Sequence, residues 1–356
     1  MKEDRLLMYI AKLNCCVLLA MICASLPLHA TEPQDPASTI NADDQTVKVV
    51  AAAEALLAKL NDAERSITLF KFNDEDQRLR WSNLPTGIFE RKGLRMGDLK
   101  PAQFDAVMEV LKSTLSTDGY QQVIDNMAGE ETLNTGGRRG RVVFGKDEYY
   151  FSILGTPSVT EPWMWQFGGH HLAVNATIVR DKITLGPSLT GGQPMHYSKD
   201  GKQIVQMADE IAMAFELVNS LDDAQKKKAI LAERFTDMAL GPGRDDVRPE
   251  PEGISASDLT EPQTMLLKRL IFERVGLLND EDAMVRLKAI DAQMSEIHFS
   301  WRGPVKNGSP VYYRVQGPNF FLEYAPQQMG GDPNEHVHAM YREFTNDYGE
   351  QWLKAK

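Results

Sequence analysis

Cysteine is scarce and confined to one end. Cys15, Cys16 and Cys23 are the only three in a chain of 356 residues, and all lie within the first thirty. Residues 31–356 therefore have no disulfide framework, no thiol nucleophile and no cysteine metal site. Positive charge is also short. The 39 Lys and Arg face 50 Asp and Glu, leaving a formal net charge of −11. An acidic protein repels phosphate backbones, which argues against nucleic acid and anionic membrane surfaces as partners. Long apolar runs are missing as well. The stretch Leu13–Leu28 is broken by Asn14 and Pro27 and is short for a bilayer span. There is no Gly-x-Ser-x-Gly elbow and no His-Glu-x-x-His helix. Gly140–Lys146 has phosphate-loop spacing, but Asp147 stands where a magnesium-binding hydroxyl is needed.

What the chain does have is the composition of a folded globular protein, 42% hydrophobic and 25% charged. Its first thirty residues read as a secretory signal. Lys2, Arg5 and Lys12 precede the apolar run, and Leu28-His29-Ala30 offers a small residue for cleavage before Thr31. That reading, preferred over an uncleaved anchor, makes the protein exported, periplasmic or secreted, with no stable membrane insertion after cleavage. Residues 31–45 read as a polar leader and 46–356 as a single α+β domain.

Four helix starts share one grammar, each introduced by a leucine: Leu60, Leu99, Leu221 and Leu259. Asn61, Asp222 and Thr260 suit the cap, with Glu64, Gln225 and Gln263 reaching back three residues on. Pro101 suits the first helical turn after Lys100. Each helix pair is followed by a strand-rich stretch, so the expected fold is α+β, with helix pairs packed on largely antiparallel sheet. Tyr150–Gly155 and Tyr312–Gly317 share a pattern of aromatic, β-branched and glycine residues. This echo suggests two αα-β halves, 46–200 and 201–356, related by internal duplication. Trp163 and Trp165 alternate onto one face, as a sheet-to-helix anchor or a wall for a ring-shaped ligand. Gly186–Pro194 reads as a plain connection or as a lid.

Histidine placement carries the functional signal. Beyond His29 there are six, His170, His171, His196, His298, His336 and His338, all in or beside strand-like segments. Side chains alternate along a strand, so His336 and His338 point the same way, and only one of His170 and His171 can join them. His298 is a further candidate from a neighbouring strand. Imidazole suits Zn or Cu, and three such ligands with an open position describe a catalytic metal site. The competing readings are hydrogen-bonded structural histidines and metal-free acid–base use. Arg342 falls on the face of His336 and His338, where it could fork onto a substrate carboxylate or pair with Glu343 or Asp347. Glu296 and Glu323 are carboxylates near the histidines in sequence.

These residues resemble a known family. Trp163-Met164-Trp165 leading to Gly169-His170-His171-Leu172, then His298–Gly303, Tyr312–Pro318 and His336-Val337-His338 with Tyr341-Arg342, are similar to the domain of unknown function 3500. The resemblance runs from about Val47 to Leu353. It implies common ancestry and a common site, while the family name brings no activity. Two functions follow. The first is an exported metal-dependent enzyme acting on a small, anionic substrate. His170, His171, His298, His336 and His338 are its candidate ligands, and Arg342, Glu343 and Asp347 its catalytic residues. The second is a non-catalytic periplasmic protein that binds a metal or small ligand.

Overall fold

The computed structural model describes residues 44–134, 141–329 and 331–354. The signal-like residues 1–30 lie outside them. Among the described residues no helix is long and apolar enough to cross a membrane.

The fold is α+β, as the sequence predicts: the described residues form ten α-helices and one mixed sheet of thirteen strands, with a separate two-stranded ribbon. The first set of elements opens with helices α1 (Asp44–Leu57) and α2 (Asp62–Thr68) and the short strand β1 (Leu69–Phe70). A one-turn helix α3 (Glu75–Arg78), β2 (Leu94–Arg95), α4 (Pro101–Thr114) and α5 (Thr117–Glu131) follow. Strands β3 (Tyr150–Leu154), β4 (Trp163–Gly169), β5 (Leu172–Val179), β6 (Lys182–Thr184) and β7 (Ser188–Gly192) complete it. A ribbon, β8 (His196–Lys199) with β9 (Lys202–Val205), leads to the second set. That set comprises α6 (Ala208–Ser220), α7 (Asp223–Ala229), β10 (Ile230–Ala232), β11 (Ile254–Ser255), α8 (Glu261–Val275) and α9 (Asp280–Asp291). It ends with β12 (His298–Arg302), β13 (Tyr312–Gln316), β14 (Phe321–Pro326) and β15 (Val337–Arg342), before α10 (Glu350–Lys354).

The pairings of the two sets match. β1 runs parallel and β2 antiparallel to β3, as β10 and β11 do to β12. The antiparallel series β3-β4-β5-β7 then meets β12-β13-β14-β15 where β7 pairs with β15 at the centre of the sheet. The register corrects the echo read from the sequence. Phe151 faces Leu94 and Phe299 faces Ile254, so β3 corresponds to β12. Tyr150-Phe151-Ser152 thus aligns with His298-Phe299-Ser300, and not with the tyrosines of β13. Gly186–Pro194 is neither lid nor plain connection. Residues 188–192 of it form β7, a central strand hydrogen-bonded on both sides.

Helix starts follow the predicted grammar. Asn61 accepts from the Glu64 amide at 2.9 Å while the Glu64 carboxylate accepts from the Asn61 amide at 2.8 Å. Asp222 and Gln225 repeat the exchange. Lys100 cannot cap, yet its amide still donates to the Gln103 side chain at 3.0 Å. The Gln103 amide reaches on to Glu64, and Gln225 pairs with Gln263, so the reaching-back residues also tie neighbouring helices together.

The helices cover one face of the sheet over a large apolar core, which takes Val337, Ala339 and Tyr341 from β15. Trp163 and Trp165 are fully buried there, and Trp165 donates to Thr114 at 3.2 Å. They are anchors. Loops cover the opposite face over a smaller cluster that includes Trp81, Met164, Leu189, Met340 and Tyr348. Alternation along β15 therefore sends His338, Met340 and Arg342 to the loop-covered face.

Candidate metal centre

His170 and His171 form the two-residue turn between β4 and β5, because Gly169 pairs directly with Leu172. His171 sits at φ 61, the left-handed region that non-glycine residues seldom adopt. Its neighbours hold that conformation in place. The Gly191 amide donates to the His171 carbonyl at 2.6 Å, and the Tyr149 hydroxyl lies 3.2 Å from the His170 carbonyl. Asn126 donates to the Gly191 carbonyl and accepts from Tyr149 at 3.0 Å.

This turn meets the start of β15. His171 Nε2 lies 3.0 Å from His336 Nε2. The rings of His171 and His336 are 4.9 Å apart, and the His338 ring is 5.1 Å from each. One ring nitrogen from each of the three falls within 4.8 Å of the other two. A second group of the same kind, Glu130, His170 and His171, shares His171. Buried His and Glu side chains here are thus placed to hold a metal ion. Tetrahedral geometry with bonds of about 2.0–2.1 Å sets ligand nitrogens about 3.3 Å apart, close to the observed separation of the two Nε2 atoms.

Protonation and outer contacts suit the same role. His171 and His338 are 2% and 3% exposed, and burial holds the pKa of both well below the ordinary imidazole range. His336 is less enclosed, and burial lowers it too. All three are therefore neutral near pH 7, the form that binds metals. His336 Nδ1 donates to the Met329 carbonyl at 2.6 Å, which leaves Nε2 unprotonated and directed at His171. Glu130, pushed upward by burial, contacts His170 Nδ1 at 2.9 Å and lies 3.8 Å from His171 Nδ1. The Asn83 amide nitrogen is 3.4 Å from both nitrogens of His338.

Gly191 makes the convergence possible. It faces His338 across the β7–β15 pair, and a Cβ there would lie 3.0 Å from His338 Cδ2 and 3.2 Å from His171 Cβ. Sequence reasoning missed Glu130, Asn83 and Gly191. Only Glu130 carries a sequence signal, as an acid three and seven residues after Met127 and Val123, on the apolar side of its helix.

The remaining expected residues lie elsewhere. His298 is on β12, three strands from β15, or about 14 Å at ordinary strand spacing, and its Nδ1 bonds the Glu296 carbonyl. It stands outside the histidine group. His196 is exposed and pairs with Glu335 at 2.6 Å. Arg342 shares the face of His338 but is four residues, about 13 Å, further along the strand. It is fully buried, with Asp245 at 3.0 Å, Asp347 at 3.1 Å and the Leu240 carbonyl at 3.1 Å. Such a guanidinium is a structural ion pair and offers no fork to a substrate. Glu343 bonds Tyr341 and Arg286, and burial raises Asp347 to about 7. Neither reaches the histidines, so the three residues read as catalytic belong to a structural network. Glu296 is exposed and Glu323 buried on β14, where burial raises it to about 7 against three hydrogen-bond donors.

No curated protein and no solved structure matches the chain. The family described as protein of unknown function (DUF3500) matches residues 42–350, so the chain belongs to that family.

Proposed function

We propose that this is an exported, metal-dependent enzyme whose ion is held by His171, His336 and His338. The observation that carries the reading is the pair of neutral Nε2 atoms 3.0 Å apart, joined by a third buried imidazole. Three imidazoles leave a coordination position for substrate or water, and Zn or Cu suits them. A bound ion would supply Lewis acidity and lower the pKa of coordinated water.

The chain's own residues would orient and tune the site. Met329 fixes the His336 tautomer through its carbonyl. Glu130 contacts His170 Nδ1 at 2.9 Å and so holds that ring against His171, the two ring centroids being 3.5 Å apart. Export rests on the basic-then-apolar N-terminus. The alternative, a periplasmic protein that binds metal or ligand without turnover, shares the same ligands.

The test is element analysis of untagged protein, followed by melting with chelator and with Zn or Cu restored. Co-purified metal and a melting temperature lowered by chelation are expected. Metal-free protein with a melting temperature indifferent to both ions would end the metal reading. Recovery of processed chain from the periplasm or medium tests export, and intact chain beginning at Met1 would contradict it.

A further inference from the structure

His171 spends one of its two ring nitrogens, Nε2, on the group it forms with His336 and His338. The other, Nδ1, is buried and has no hydrogen-bond partner among the described residues. With an ion on Nε2, the neutral ring must carry its proton on Nδ1. A buried donor without an acceptor is costly. Glu130 stands beside it, but its Oε2 is 3.8 Å away, too far for a hydrogen bond.

That spacing suits two ligands of one ion better. Ligand atoms on a tetrahedral ion, with bonds of about 2.0–2.1 Å, stand about 3.3 Å apart. Glu130 Oε2 lies 2.9 Å from His170 Nδ1 and 3.8 Å from His171 Nδ1, on either side of that value. One ligand atom from each of Glu130, His170 and His171 falls within 4.8 Å of the other two.

The turn explains why two neighbouring histidines serve side by side. On an extended strand they would point to opposite faces. The left-handed backbone at His171 instead brings the rings together, with centroids 3.5 Å apart. The Phe144 ring packs on His170 at 5.2 Å, and Glu130 reaches both histidines from α5. All three side chains are buried. The two groups have His171 in common and meet on its opposite nitrogens.

We propose that Glu130, His170 and His171 hold a second divalent ion, Zn or Cu, with the His171 ring bridging the two metals through Nε2 and Nδ1. Imidazole and carboxylate together suit such an ion. The Nδ1–metal bond forms as the Nδ1 proton leaves to solvent, and no electron is transferred. The inference rests on the metal reading, because the charge of the first ion on Nε2 is what eases loss of that proton. The second ion is therefore the weaker of the two and is filled after the first. Ions on opposite nitrogens of one ring stand farther apart than the about 3.5–4 Å of a pair that shares a substrate oxygen. The second ion would thus act on the first through the ring and through its charge.

The experiment is calorimetric titration of metal-free, untagged protein and of His170→Ala with Zn. A parallel titration of both with Cu(II) is read by electron paramagnetic resonance at liquid-helium temperature. Wild type should take up two zinc ions, the second more weakly, and His170→Ala one. In wild type the copper signal should rise with the first equivalent and fall with the second, because two spins coupled through one imidazolate pair. This readout needs no variant, so it stands even if His170→Ala fails to fold. A wild-type chain that takes up only one ion, kept by His170→Ala, would overturn the second site and leave the metal reading standing. No uptake by wild type would overturn both. Two ions in His170→Ala, or a copper signal that doubles with the second equivalent, would overturn the bridge.

Discussion

His171 and His336 are 165 residues apart in the chain, and their Nε2 atoms are 3.0 Å apart in the fold. The contact joins a turn of the first strand set to the entry of the last strand of the second. It exists only because β7 and β15 pair at the centre of the sheet.

Gly191 is the residue that this contact can least do without. Gly191→Ala would place a methyl group 2.7 Å from the Val337 carbonyl and against both His338 and His171. Overpacking of this kind costs about 1–3 kcal/mol. A lowered denaturation midpoint is expected, together with metal affinity reduced by about tenfold or more as the rings are pushed apart. Wild-type values for both would show that the histidines do not depend on the close approach.

Glu130→Gln keeps the shape of the side chain and removes its charge. Loss of the carboxylate behind His170 and His171 should weaken metal binding by about 10–100-fold. Competition with a chromophoric chelator measures this. Unchanged affinity would reduce Glu130 to a packing residue.

Arg342→Met should destabilise the protein by about 3–5 kcal/mol, because it strands Asp347 and Asp245 beside a buried site. Urea unfolding reads this directly. A variant as stable as wild type that fails only in ligand binding would restore Arg342 to the substrate role that the sequence suggests.

Glu323 carries the pH prediction. Burial raises its folded pKa to about 7 from the ordinary carboxylate value of 4.5. The unfolded chain therefore releases its proton first as pH rises. This contribution to stability is fully present below about 4.5, and is lost as pH rises through about 7. Carboxyl carbon shifts should show one glutamate titrating near 7, absent in Glu323→Gln. A Glu323 midpoint at the ordinary value would contradict the burial argument.

Local signals were legible in the sequence and long-range ones were not. The helix starts at Asn61, Asp222 and Pro101 depend on residues within one turn, and they stand where the pattern puts them. His336 and His338 share a side because the rule is local. Which of His170 and His171 joins them depends on the left-handed backbone at His171, which no periodicity announces. The strand echo misled by one strand, since aromatic and glycine patterns recur in both β12 and β13 while only register distinguishes them. Gly186–Pro194 resembled a loop because glycine and proline usually mark turns, but here Gly191 serves packing against two histidines. Arg342 reads in the sequence either as a substrate-binding cation or as the partner of Asp347 or Glu343. The fold gives it Asp347 and adds Asp245 from a loop about a hundred residues away, which no local pattern announces.

The central claim is that His171, His336 and His338 hold one metal ion. Equilibrium dialysis of wild-type protein and His336→Ala against Zn, at matched concentrations, tests it most directly. The account predicts one tightly held ion per wild-type chain and none in the variant. Equal zinc in both, or none in either, would contradict it.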